Sequence, residues 1–89
     1  MTQRGMNMEH FLNEIKPGES AVVKSLLAHG SMRRRLLDIG LVESARVECV
    51  GVSPMGDPAA YMIRGAVIAI RAADSRNVLI EEARNGTDE

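Results

Sequence analysis

Ala59-Ala60-Tyr61-Met62-Ile63-Arg64-Gly65-Ala66-Val67-Ile68-Ala69-Ile70-Arg71 is the stretch that decides how this chain folds. Two short apolar runs are divided only by Arg64 and Gly65. Runs of that length bounded by a glycine read as strands, and the gap has the length of a tight hairpin connection. Positions 59–63 and 66–71 are therefore read as an antiparallel pair.

Working upstream, Ser53-Pro54-Met55-Gly56-Asp57-Pro58 packs prolines, a glycine and an aspartate into one dense turn signal. Before it, 45–52 reads as a strand with Val47 and Cys49 on one face and Arg46 and Glu48 on the other; Val50 and Val52 then reverse the apolar phase, which predicts a bulge near 49–51. Ser31 is read as the N-cap of a helix running to about 39, with Gly40 as the left-handed residue that ends it. Met32, Leu36 and Ile39 share one helix face, and Arg34 and Asp38 stand at i, i+4 as an expected ion pair. A strand over 21–28 precedes the helix, launched by the Lys16-Pro17-Gly18-Glu19 turn, and 8–15 contributes Phe11, Leu12 and Ile15.

Downstream, 72–77 is a short polar link with one 3₁₀ turn, and 78–80 offers a final strand. The expected architecture is mainly β with one short helix, a small SH3-like β-barrel, since closure removes exposed sheet edges. The domain is expected over 8–82, with 1–7 and 83–89 as flexible termini.

Composition narrows the function. The chain has 89 residues, enough for one core. Phe11 and Tyr61 are its only aromatic residues, so the core is aliphatic and no platform exists for stacking bases. A net charge of −1 gives no overall field for polyphosphate or anionic lipid. DNA and RNA are accordingly not expected as partners. The single cysteine cannot close an intramolecular disulfide, which fits a reducing compartment, and the expected location is cytoplasmic. No apolar run approaches the ~20 residues that span a bilayer, so membrane insertion is not expected.

No catalytic residue, no metal site and no cofactor is expected. A nucleophile needs a base and an orienting group, and only His10 and His29 are on offer. Cys49 lies on an apolar strand face, where a thiol behaves as a small buried hydrophobe. Glu81 and Glu82 read as solubilising charges. Two features fit partner binding. Arg33-Arg34-Arg35 can grip an acidic patch or serve as a solvated helix face, with Arg33 and Arg34 taken as the contact residues. The loop residues Pro54, Met55, Gly56, Asp57 and Pro58 present preorganised backbone with an adaptable methionine at the tip, or else simply fix a chain reversal.

Three segments then carry a resemblance: Arg35-Leu36-Leu37-Asp38-Ile39-Gly40-Leu41, the turn at 53–58, and Gly65-Ala66-Val67-Ile68-Ala69-Ile70-Arg71. In order and spacing, and with the Lys-Pro-Gly-Glu turn ahead of them, the chain resembles the FeoA family over about 11–81. The resemblance implies an SH3-like barrel and a non-enzymatic accessory role in ferrous iron uptake. It implies docking on the cytoplasmic region of the GTPase-containing membrane transporter FeoB and an effect on that transporter's assembly or activity. It also implies an alternative, because similar domains end metal-dependent repressors: a transition-metal-responsive binding module. A weak homo-oligomer stays open. One departure stands out, since Leu41-Val42-Glu43-Ser44 has serine where relatives often have glycine. If that position needs positive φ, serine carries about 1 kcal/mol of strain there, or the turn is rearranged.

Overall fold

A computed structural model describes residues 9–82 and 84–85. Its strands are β1 (His10–Phe11), β2 (Glu19–Leu26), β3 (Arg46–Val52), β4 (Ala59–Ile63), β5 (Ala66–Ile70), β6 (Val78–Ile80) and β7 (Arg84–Asn85). A 3₁₀ turn at Leu12–Glu14 follows β1, helix α1 spans Gly30–Asp38, and α2 is a single turn at Ala72–Ser75. The fold is mainly β, as expected, and its strand pairs are antiparallel.

The central hairpin forms as its sequence requires. β4 and β5 pair from Ile63↔Ala66 to Ala59↔Ile70 without a register shift. Arg64 and Gly65 both take positive φ, 55° and 85°, the signature of the two-residue turn whose twist suits adjoining strands. The bulge also forms, as a register shift between Cys49 and Gly51. Val47 and Cys49 are fully buried on its near side. Val52 comes to lie opposite Ala59, on the face of Tyr61 by alternation, but both Val50 and Val52 stay partly open to solvent.

Helix α1 starts two residues earlier than expected. His29, not Ser31, occupies the N-cap, and no side chain caps that end. Its C-terminus follows the expectation. Gly40 at φ 106° lets its own N–H reach the Leu37 carbonyl at 3.0 Å and the Leu41 N–H reach the Leu36 carbonyl at 3.1 Å, which closes a Schellman motif. Leu36 and Leu41 are both buried beneath this cap, while Met32 and Ile39 pack against the core's margin. The Arg34–Asp38 pair is absent; Arg35 bonds instead to Asp74 of α2 at 3.1 Å. The tertiary partner is a turn of helix 39 residues away, which i, i+4 spacing cannot anticipate.

The strand order is β1-β6-β2-β3-β4-β5, with β7 pairing β2 beside β6. The expected closed barrel is therefore corrected to an open sheet, because no ladder joins β5 to β1. The physical reason lies in β1, which has two residues before the chain turns into 3₁₀ geometry at Leu12 and leaves the ladder. α2 packs beside that 3₁₀ turn, and the Tyr61 hydroxyl on β4 donates to the Leu12 carbonyl at 3.4 Å. Side chains thus bridge the gap that a ladder would have filled. The core so enclosed includes Leu12, Val23, Leu36, Leu41, Val47, Tyr61, Ile63 and Ile80, each aliphatic chain worth about 1.5–3 kcal/mol on burial.

Two differences concern the ends. β1 and β7 are two-residue strands that no expectation named, β1 within 8–15 paired to β6, and β7 at 84–85 paired to β2. The expected arm at 1–7 lies outside the described residues. Ser44 adopts φ 76° at the third position of the Val42–Ala45 turn, which the Ala45 N–H closes on the Val42 carbonyl at 2.9 Å. The left-handed position is thus retained, with serine in it.

Candidate interaction site

The loop between β3 and β4 is held rigid from both sides. The Ser53 N–H donates to the Pro58 carbonyl at 3.0 Å and the Gly56 N–H to the Ser53 carbonyl at 2.8 Å. The Asp57 carboxylate accepts from the Ala72 N–H at 2.8 Å, which satisfies a donor at the start of α2 that no residue of its own helix could satisfy. Pro54, Met55, Gly56 and Asp57 remain exposed, Pro58 is half-buried, and Met55 is 91% exposed at the tip. A fixed loop that presents one bare methionine loses little conformational entropy on binding.

Arg33 and Arg34 lie on α1, both exposed and neither in an ion pair among the described residues. With Gly30, Leu37 and Asp38 they line a shallow depression on the helix. No loop residue enters that depression, so the sequence-predicted residues form two places rather than one. α2 connects them: Asp74 holds Arg35 of the helix, and Ala72 is held by Asp57 of the loop. Asn77 braces the same turn, its side chain donating to the Ala73 carbonyl at 3.0 Å and its own carbonyl accepting from the Leu27 N–H at 2.7 Å. Sequence reasoning missed this bridge, since a short Ala-Ala-Asp-Ser link carries no local signal of what it ties together.

The groups with intrinsic reactivity are withdrawn or scattered. The Cys49 thiol is buried beneath the bulge with its sulfur 3.7 Å from the Gly51 carbonyl, and burial pushes its pKa up, so the thiolate that attacks or binds metal is disfavoured. Burial likewise raises the pKa of Tyr61. His10 Nδ1 stands 4.0 Å from the Glu14 carboxylate, and His29 is exposed at the N-cap of α1. Among the described residues no three His, Cys, Asp or Glu side chains converge where an ion could sit. Nor is any described helix long and apolar enough to cross a membrane.

One feature went unread in the sequence. Val67 on β5 is 59% exposed, and Ala66 and Ala69 are exposed beside it. An unbroken apolar run reads as a strand buried on both faces. Here it forms the end of the sheet instead.

An open antiparallel sheet of short strands, wrapped on one aliphatic core with a single helix laid over it, defines a small β domain of SH3-like type. The FeoA domain model matches residues 10–82, and the chain belongs to that family. Among solved structures it is similar to an FeoA-like protein of Clostridium acetobutylicum, at 29% identity and a TM-score of 0.77 over 85% of this chain and 88% of that one. It is equally similar in fold, with a TM-score of 0.77 at 25% identity, to the FeoA of Stenotrophomonas maltophilia, described as a procaryotic SH3 domain protein complexed with zinc; the match covers 88% of this chain and 99% of that one. A manganese-dependent transcriptional repressor shares the fold alone, at 14% identity and a TM-score of 0.74, over 86% of this chain and 42% of the repressor. Among curated proteins, the Fe(2+) transport protein A/Fe(2+) transporter FeoB fusion protein of Porphyromonas gingivalis is 29% identical over 70 residues, 79% of this chain. The chain spans 8% of that relative's length. Homology therefore links the chain to ferrous iron transport.

Proposed function

We propose that the chain is a non-enzymatic, cytoplasmic accessory of ferrous iron uptake that docks on the cytoplasmic region of the membrane transporter FeoB and modulates its assembly or activity. The observation that carries this reading is the fused relative, in which an FeoA part and an FeoB part share one polypeptide. Parts joined covalently in one protein are held at high effective concentration, the arrangement expected of modules that act on each other. The geometry agrees in kind. Arg33 and Arg34 on α1, in no ion pair among the described residues, suit an acidic patch, and the pinned loop offers Met55 as an adaptable apolar contact.

The test is retention of the chain on the immobilised GTPase region of the transporter from the same organism. Wild type is retained, and Met55→Asp and Arg33→Glu are each retained several-fold less, with unchanged thermal unfolding. Absence of wild-type retention at low salt, where charge-assisted docking is strongest, refutes the reading.

A further inference from the structure

A two-residue hairpin turn makes its flanking residues a hydrogen-bonded pair, and the pattern then alternates along the ladder. From Ile63↔Ala66 the register makes Tyr61↔Ile68 and Ala59↔Ile70 the next such pairs. The N–H and C=O groups of Val67 and Ala69 consequently point away from β4. β5 ends the strand order, and no backbone hydrogen bond joins 66–70 to any described residue outside β4. Two donors and two acceptors thus stand along an exposed edge in the spacing that an added strand uses.

Edges of this kind are usually blunted by an inward charge, a proline, a bulge or a covering segment. Ala66-Val67-Ile68-Ala69-Ile70 contains neither charge nor proline, and its pairing shows no bulge. Charge stands only at its two ends: Arg64 in the turn before and Arg71 just after, both exposed and neither in an ion pair among the described residues. Two acids beside the Arg71 end are engaged, Asp57 with the Ala72 N–H and Asp74 with Arg35.

That charge pattern selects the occupant. A second copy paired antiparallel about Ile68 would set Arg64 of one chain opposite Ala72 of the other, one residue from its Arg71, at both ends, and so gather four arginines along one seam, which like-charge repulsion disfavours. An extended segment with small or β-branched residues at its centre and Asp or Glu at its flanks meets the free groups and both arginines. We infer that the β5 edge binds such an acidic-flanked segment of a partner protein by strand addition. This rests on the docking proposed above and adds a backbone surface to the side-chain contacts named there; its Arg71 end adjoins the Met55 loop through the Asp57–Ala72 bond.

Calorimetric titration of the full chain with the transporter's cytoplasmic region tests it. Ala69→Pro removes one outward N–H while the β4–β5 ladder keeps its bonds, as edge prolines do, and is expected to weaken binding about tenfold. The double variant Arg64→Glu/Arg71→Glu is expected to weaken it by at least as much and to reduce its salt dependence. Should Ala69→Pro unfold below the assay temperature, the charge-reversed variant decides alone. Wild-type binding with the variants within twofold of it overturns the β5 surface while docking stands. No wild-type binding overturns docking and, with it, this inference. A dimer in sedimentation that Ala69→Pro dissociates also overturns it, by making a second copy the occupant.

Discussion

Replacing Ser44 by glycine should stabilise the fold, because the turn demands a backbone conformation that serine adopts only under strain. Ser44 stands at φ 76°, close to the value of about +80° required at the third position of a type II turn. A left-handed L-residue costs roughly 1–2 kcal/mol in contact between its Cβ and the adjoining carbonyl. Its side chain is exposed and makes no hydrogen bond among the described residues, so nothing is lost by removing it. Against this, glycine gives the unfolded chain extra freedom worth about 0.4–1 kcal/mol. The net gain is about 0.5–1 kcal/mol, or roughly 2–8 °C in Tm for a domain of this size. Urea and thermal unfolding followed by circular dichroism measure it, with Ser44→Ala as the control that keeps the strain and so keeps the stability. A Ser44→Gly protein no more stable than Ser44→Ala would refute the reasoning.

Gly40→Ala works in the opposite direction: its Cβ would meet Arg64 Cδ at 2.7 Å and Ile63 Cγ2 at 2.9 Å, at φ 106°, so a loss of about 2–3 kcal/mol is expected in the same unfolding assay. Stability should also fall in alkali. Cys49 and Tyr61 both have raised pKa values in the folded state, so that state holds their protons more tightly than the unfolded chain; the stability they contribute is intact at neutral pH and is lost as pH climbs past the ordinary thiol value of 9.0 and on through the folded values. Cys49→Ala should flatten the start of that decline in unfolding titrations run at successive pH. The Arg35–Asp74 pair is half exposed on the arginine side, and a double-mutant cycle should return no more than about 1 kcal/mol.

Local signals were legible wherever they were also sufficient. The two-residue gap at Arg64-Gly65, the phase reversal after Cys49 and the glycine after Ile39 each specify a backbone event within a few residues, and each event occurs. β1 and β7 are two residues long, too short for any periodicity, and exist because β6 and β2 supply their partners. The helix began early because His29 turns the chain without a capping side chain, which no residue preference reports. At the candidate site, the loop and the arginines were visible as composition. The roles of Asp57 and Asp74 as ties to α2 were not, since each reaches a residue distant in sequence.

The one misreading of architecture bears on how the protein would meet a partner. The argument for a closed barrel was that closure removes exposed edges, and it fails here because β1 is too short to receive β5. Tyr61 and α2 seal the core across the gap, so burial of apolar side chains does not depend on completing the ladder. Stability and closure are thereby separated. Had the ladder closed, the outward groups of Val67 and Ala69 would be consumed within the chain, and a partner could be met only through side chains. An open sheet with its core sealed keeps those groups available at little cost to the fold. It also explains why so apolar a strand as β5 can lie at the margin: its inward residue Ile70 is buried with the core, and Val67 on the other face is left for whatever completes the sheet.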